Sequence, residues 1–303
     1  MKILSGGNQS CMELNYFFSG FYLSIVFVIV VPLLNSLIIK IANKKSPLMI
    51  DFKVILIEIL LFTIIFGLTF WLAAEKIEGK LLQITCFIAL VIIISSYHYL
   101  IAPIWHLISS KTKESVELSN ILKAHNYSRY KVLVLKEKGM INAYAIGVLP
   151  FSSLILMGMD LNNNLNQKGK ECILLHEVAH HVKKHLVKLY AVNILLSIVG
   201  YLLFYIRGSI FNYLESSVTV HLISVFATGC FASFLVLYVS GIFQKKYEYE
   251  ADLFAAKKNG IEIYIETLRA VDKTSDGKVS KGGITHPTLE KRIQHLRENC
   301  YES

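Results

Sequence analysis

The sequence predicts a mostly α-helical integral membrane protein, with about five transmembrane helices, that also carries a small α+β domain. Three observations predict it. Of the 303 residues, 54% are hydrophobic and only 17% are charged, which is too apolar for an ordinary soluble domain. Five apolar runs are long enough for a helix to cross a hydrocarbon core about 30 Å thick. Between the third and fourth runs lie short segments of strand character, followed by a helix with two histidines one turn apart.

In chain order, the first three runs are Tyr16 to Ile39, Val54 to Ala74 and Leu81 to Ile101, so residues 1–106 read as an N-terminal membrane region. The first run lacks a basic leader and exceeds the usual length of a signal-peptide core, which argues for a retained span. Residues 107–303 form the second region, interrupted by apolar runs at about 189–206 and 218–243. Leu118, Ile121 and Leu122 suggest a short amphipathic helix. Lys131 to Leu135, Ile141 to Ile146 and Ser153 to Gly158 read as strands, with Gly139 and Pro150 marking the turns. Asn162 to Lys170 is a polar lead-in to the next helix. Tyr247 to Ala256 reads as a further helix, closed by Lys257, Lys258 and Asn259-Gly260, cations and a turn pair suited to a helix C-terminus. Val271 to Gly283 is polar, holds three glycines and reads as a mobile loop.

Charge sets an orientation. Lys40, Lys44, Lys45 and Lys53 lie between the first two spans, whereas Lys76 and Lys80 in the next connection are balanced by Glu75 and Glu78. The stretch after the third span opens with Lys111 and Lys113, and the last connection holds only Arg207 and Glu215. The positive-inside rule then puts the N-terminus outside and the second region at the cytoplasmic face of a cell membrane, of bacterial type by residue usage. The net charge of +9 becomes an inner-surface charge facing anionic lipid. No basic patch interleaved with aromatics points to nucleic acid. Cys11, Cys86, Cys172, Cys230 and Cys300 are scattered without a CxxC pair, which excludes a disulfide framework or a cysteine-bound zinc.

The chemistry concentrates in His176-Glu177-Val178-Ala179-His180. A spacing of four stacks His176 and His180 on one helix face, where two imidazole nitrogens can meet one zinc ion. Glu177 is turned about 100° away, placed to serve a water as general base. Downstream, Glu248 and Asp252 share a helix face with the small Ala251 and Ala255, which permit close approach to a second helix. Glu248 could then complete a His-His-Glu set, with Asp252 orienting a ligand histidine. Taken alone, Glu248 reads better as one acid on a charged helix, paired with Lys245 or Lys246.

HEVAH followed by EYEAD resembles the HtpX-type membrane metalloproteases and the related type I CAAX prenyl endopeptidases, gluzincins in which HExxH is followed by ExxAD. Asn142-Ala143-Tyr144-Ala145 resembles that family's NAxA edge strand, and Thr285-His286-Pro287 with Arg292-Ile293 resembles its HP…RI element. The resemblance implies a small α+β gluzincin-type domain with one Zn2+ per chain held by His176, His180 and Glu248. It implies that Glu177 is the general base and that His286 and Arg292 stabilise the tetrahedral intermediate or the substrate backbone. Asn142, Ala143 and Tyr144 would take substrate as an added strand. The implied activity is endoproteolysis of membrane-associated proteins or peptide precursors.

Two alternatives compete with it. A BlaR-like sensor metalloprotease also uses HExxH, but it is disfavoured by NAYA and by the lack of a sensor domain after the last span. A non-catalytic, zinc-stabilised membrane scaffold would not need Glu177. The sequence leaves the oligomeric state open. Other polar residues take plainer assignments: Glu58 snorkels to the inner interface, His98, His106 and His221 are hydrogen bonders, and His181 and His185 form the wetter helix face.

Overall fold

The computed structural model describes residue 99 and residues 111–136, 140–213 and 218–300. All belong to one compact unit, Ser95–Ser303. Apart from Tyr99, the three apolar runs before residue 106 lie outside the described residues, as does the turn at Gly139.

Four strands form one sheet: β1 (Thr112–Glu114), β2 (Lys131–Leu135), β3 (Ala143–Ile146) and β4 (Leu154–Gly158). Their spatial order is β1-β2-β4-β3. β2 and β4 run parallel, while β1 pairs with β2 and β3 with β4 antiparallel. Every residue of β4 is buried, the near-continuous apolar pattern of a strand covered on both faces. β3 is an edge strand, as the NAxA resemblance implies. Helix α1 (Val116–Ala124) crosses between β1 and β2 and buries Leu118 and Leu122.

The polar lead-in is more ordered than the sequence suggests. It holds the end of α2 (Met159–Asn164) and the start of α3 (Gln167–Val182), whose N-cap Asn166 accepts a hydrogen bond from the Gly169 amide at 2.8 Å. α3 is the central element, buried continuously from Cys172 to Ala179. One side packs Ile173, Leu174 and Val178 against the sheet and α1. The other packs Cys172 and Leu175 against α5 (Val218–Asn259), α6 (Ile261–Thr274) and α8 (Leu289–Cys300). Small residues on α5 make this possible: Ala251 and Ala255 are fully buried.

Two sequence expectations need correction. Tyr247 to Ala256 does not form a separate helix but is the end of α5, one continuous helix of 42 residues. No glycine or proline interrupts Phe243 to Asn259, so the helical ladder has no reason to stop before Gly260, where φ is 91°. Nor is Val271 to Gly283 one loop. α6 runs to Thr274 and a short α7 (Lys278–Lys281) follows. The Asp272 carboxylate ties the segment down by accepting from both the Ser280 amide, at 2.7 Å, and the Ser280 hydroxyl.

The runs at about 189–206 and 218–243 lie in α4 (His185–Tyr213) and in α5, which pack against each other. Among the described residues no helix is long and apolar enough to cross a membrane.

Candidate metal centre

Helix α3 presents His176 and His180 toward α5, which presents Glu248. His176 Nε2 lies 3.3 Å from His180 Nε2 and 3.5 Å from Glu248 Oε2, and His180 Nε2 lies 3.6 Å from Glu248 Oε1. Among the described residues this is the group of ligand type whose donor atoms converge. Two ligand atoms about 2.05 Å from a tetrahedral centre sit about 3.3 Å apart. The spacing and the two-imidazole, one-carboxylate donor set therefore fit zinc.

Behind each histidine stands a support. For His176, the Nδ1–H faces Asp252 Oδ1 at 3.1 Å and the Tyr264 hydroxyl at 2.9 Å, while Tyr264 donates to the same Asp252 oxygen at 2.7 Å. Asp252 thus sits one turn past Glu248 and behind His176, as its spacing suggests. Arg292 closes the cluster, with Nε donating to Asp252 Oδ2 at 2.7 Å and a second bond from its NH2 nitrogen to Oδ1. Its nearest atom to Glu248 is 3.9 Å away. In this geometry Arg292 is buried against Asp252, so it bears on the metal site through that carboxylate.

For His180, Nδ1 lies 3.1 Å from His185 Nδ1, and His185 Nε2 lies 3.2 Å from Glu250 Oε2. This corrects the sequence expectation that His181 and His185 form a wetter helix face. α3 ends at Val182, Lys184 takes φ 57°, and the chain turns so that His185 begins α4 fully buried. His181 points to the other side, half-buried, stacking on Tyr130 and donating to the Leu154 carbonyl at 3.1 Å. Helical periodicity cannot see a break that one left-handed residue makes.

The general-base candidate Glu177 is buried and accepts a backbone hydrogen bond from Ala145 of β3. Burial pushes its carboxyl up to about 7. For Glu248 the direction is opposite: burial disfavours its charge, but hydrogen bonds from His176 and His286 and the Arg292 charge hold it well below the usual carboxylate range. Asp252 is held at about 2, where the Arg292 guanidinium outweighs the cost of burial. Burial and the neighbouring His176 lower His180, while Asp252 and Glu248 raise His176 against burial. The Glu248 and Asp252 carboxylates thus share their negative charge with the Arg292 guanidinium and the His176 imidazole.

His286 is exposed and places Nδ1 3.2 Å from Glu248 Oε2. Gly241 makes that approach possible, because a Cβ there would meet the Ile284 carbonyl oxygen at 2.8 Å. Asn142, Ala143 and Tyr144 lie at the edge strand. The Asn142 side chain caps its own strand by accepting from the Ala143 amide at 3.0 Å, Ala143 is buried, and Tyr144 is exposed. Sequence reasoning missed Tyr264, His185 and Glu250. Tyr264 lies on the buried face of an amphipathic helix, where a tyrosine hydroxyl must find a partner, and that was its only signal.

Comparison with known proteins gives concordant results. The model of peptidase family M48 matches residues 108–300. Protease HtpX of Tolumonas auensis is 28% identical over 185 residues, which cover 52% of this chain and 62% of that protease. The HtpX homolog of Chlorobium phaeovibrioides is 29% identical over 190 residues, with the same two coverages. The chain thus matches about six-tenths of the length of these relatives. The crystal structure of S. mikatae Ste24p superposes with a TM-score of 0.62 at 18% identity, covering 92% of this chain and 74% of that one. At that identity the likeness is one of fold.

Proposed function

The chain belongs to peptidase family M48, and we propose that it is a membrane-embedded zinc endopeptidase that hydrolyses peptide bonds of membrane-associated proteins or peptide precursors at the cytoplasmic face. The observation that carries this is the convergence of His176, His180 and Glu248 donor atoms at 3.3–3.6 Å with the buried Glu177 next to the first ligand. One zinc ion per chain, held by those three residues, supplies Lewis acidity and lowers the pKa of the attacking water.

The chain's own groups do the rest. Glu177 takes the proton of the attacking water and passes it to the leaving amine. A carboxyl near 7 is suited to both halves of that transfer. Substrate lies along β3 as an added antiparallel strand, bringing its carbonyl toward Glu177, whose side chain is already bonded to that strand. His286 faces the same space and stabilises the developing oxyanion. Arg292 supports it indirectly, by fixing Asp252 and through it His176.

The catalytic half faces the cytoplasm, with five spans and the N-terminus outside. The lysine-rich connections at 40–53 and after 111 support that orientation. Purified wild-type protein and Glu177→Gln, assayed on an unstructured polypeptide with and without chelator, test the activity. Chelator-sensitive cleavage by wild type alone is the expected result. Cleavage that persists in Glu177→Gln or survives chelation would overturn it.

A further inference from the structure

We propose that His185 and Glu250 are positioning residues that fix the tautomer and orientation of His180. The inference rests on the zinc reading above. If His180 presents Nε2 to the metal, its proton must sit on Nδ1. That N–H points at His185 Nδ1, 3.1 Å away, which must then be the unprotonated nitrogen and accept. His185 is left with its proton on Nε2, and Glu250 Oε2 lies 3.2 Å from that atom to receive it. Each donor in the row meets one acceptor. The reverse assignment would put a proton on His180 Nε2, directed at His176 Nε2 3.3 Å away.

Three further observations favour this role over a packing role. Both nitrogens of His185 are occupied, on the side of His180 opposite its Nε2, so His185 cannot be a ligand although it follows HEVAH closely in sequence. The ring is clamped flat on Tyr247, with centroids 4.4 Å apart and planes 8° apart, and it is fully buried. The left-handed turn at Lys184, φ 57°, places the ring there by ending α3 just before it. A ligand histidine is usually backed directly by a carboxylate or a carbonyl, as Asp252 backs His176. Here one more imidazole is interposed, so the carboxylate that terminates the row, Glu250, is partly exposed, with 30% of its side chain accessible.

The test uses the full-length protein in detergent, its zinc measured by competition with a chromophoric chelator and its geometry by the visible spectrum of the cobalt-substituted form. Glu250→Ala and His185→Leu should each weaken zinc about 10–100-fold, the usual effect of removing such a partner, and should shift or broaden the cobalt bands. His185→Asn, whose side-chain oxygen can still accept from His180, should recover part of the loss. Tyr247→Leu, which removes the stack but neither hydrogen bond, should lower the melting temperature and weaken zinc less than Glu250→Ala does. Glu250→Ala perturbs only a partly exposed side chain, so it carries the test if His185→Leu fails to fold. Wild-type zinc affinity and an unchanged cobalt spectrum in Glu250→Ala would overturn the relay. Absence of zinc binding by wild type would overturn the metal reading itself, and the relay with it.

Discussion

Glu177 and His181 show how one helix turn assigns different work to neighbouring side chains. Glu177 is enclosed and bonded to β3, so its replacement by glutamine preserves shape and a hydrogen bond but removes the proton acceptor. Glu177→Gln should keep zinc and fold while losing about 10²–10⁴-fold in turnover. Metal analysis, circular dichroism and a peptide cleavage assay check the three parts. His181 is chemically simpler. Burial holds its imidazole down at about 4, against the helping bond to Leu154, whereas in the unfolded chain it titrates near 6.5. Below pH 6.5 the unfolded state binds the proton first. The stability that depends on neutral His181 is therefore complete above about 6.5 and is lost as pH falls toward 4, by at most about 1.4 kcal/mol per unit. His181→Phe keeps the stack on Tyr130 and should flatten that part of the stability–pH profile, measured by denaturant unfolding. An equally steep profile would show that other groups dominate.

Between elements, the Asp252 cluster does two jobs: it holds α8 on α5 through Arg292, and it holds His176 in place for the proposed zinc. The two can be separated. Arg292→Met leaves a fully buried carboxylate without its counter-charge, and removing one partner of such a pair costs about 3–5 kcal/mol. A large fall in melting temperature is expected. Asp252→Asn retains the shape and one acceptor for His176, so it should weaken zinc about 10–100-fold rather than abolish binding. Loss of all zinc in a folded Asp252→Asn would instead make Asp252 a ligand. The ligands themselves come from α3 and α5, which are 72 residues apart between His176 and Glu248 and separated in sequence by α4. A bound ion should therefore staple the two helices. Chelation should lower the melting temperature, and zinc at about 1,000 times its dissociation constant should stabilise by about 4 kcal/mol.

For the whole molecule, the proposed topology places nothing catalytic outside the membrane. Single cysteines at Ser46, Gly79, Ser216 and Ser303, in a background lacking the native ones, should react with an impermeant reagent in intact cells only at Gly79 and Ser216. Labelling at Ser303 would reverse the orientation and put the metal centre outside. The consequence for function is direct, because a cytoplasmic centre restricts substrates to segments exposed at the inner surface.

The sequence by itself placed the candidate ligands on their helix faces. HExxH is local, since two histidines four apart must share a helix face whatever surrounds them, and Glu248 with Asp252 obeys the same rule on α5. The strands were legible for the same reason: β2 has the predicted limits, and β3 and β4 start within two residues of them. What only the tertiary structure decided is which groups stand behind the ligands. Tyr264, Arg292 and Glu250 reach the site from three helices, by contacts spanning 88 residues from His176, 40 from Asp252 and 65 from His185. His185 enters through a single left-handed residue, Lys184. Neither long-range packing nor one positive φ leaves a period in the sequence, so Tyr264, His185 and Glu250 look like ordinary surface or core until the chain is folded, and Arg292, legible only through the HP…RI resemblance, shows its partner Asp252 only in the fold.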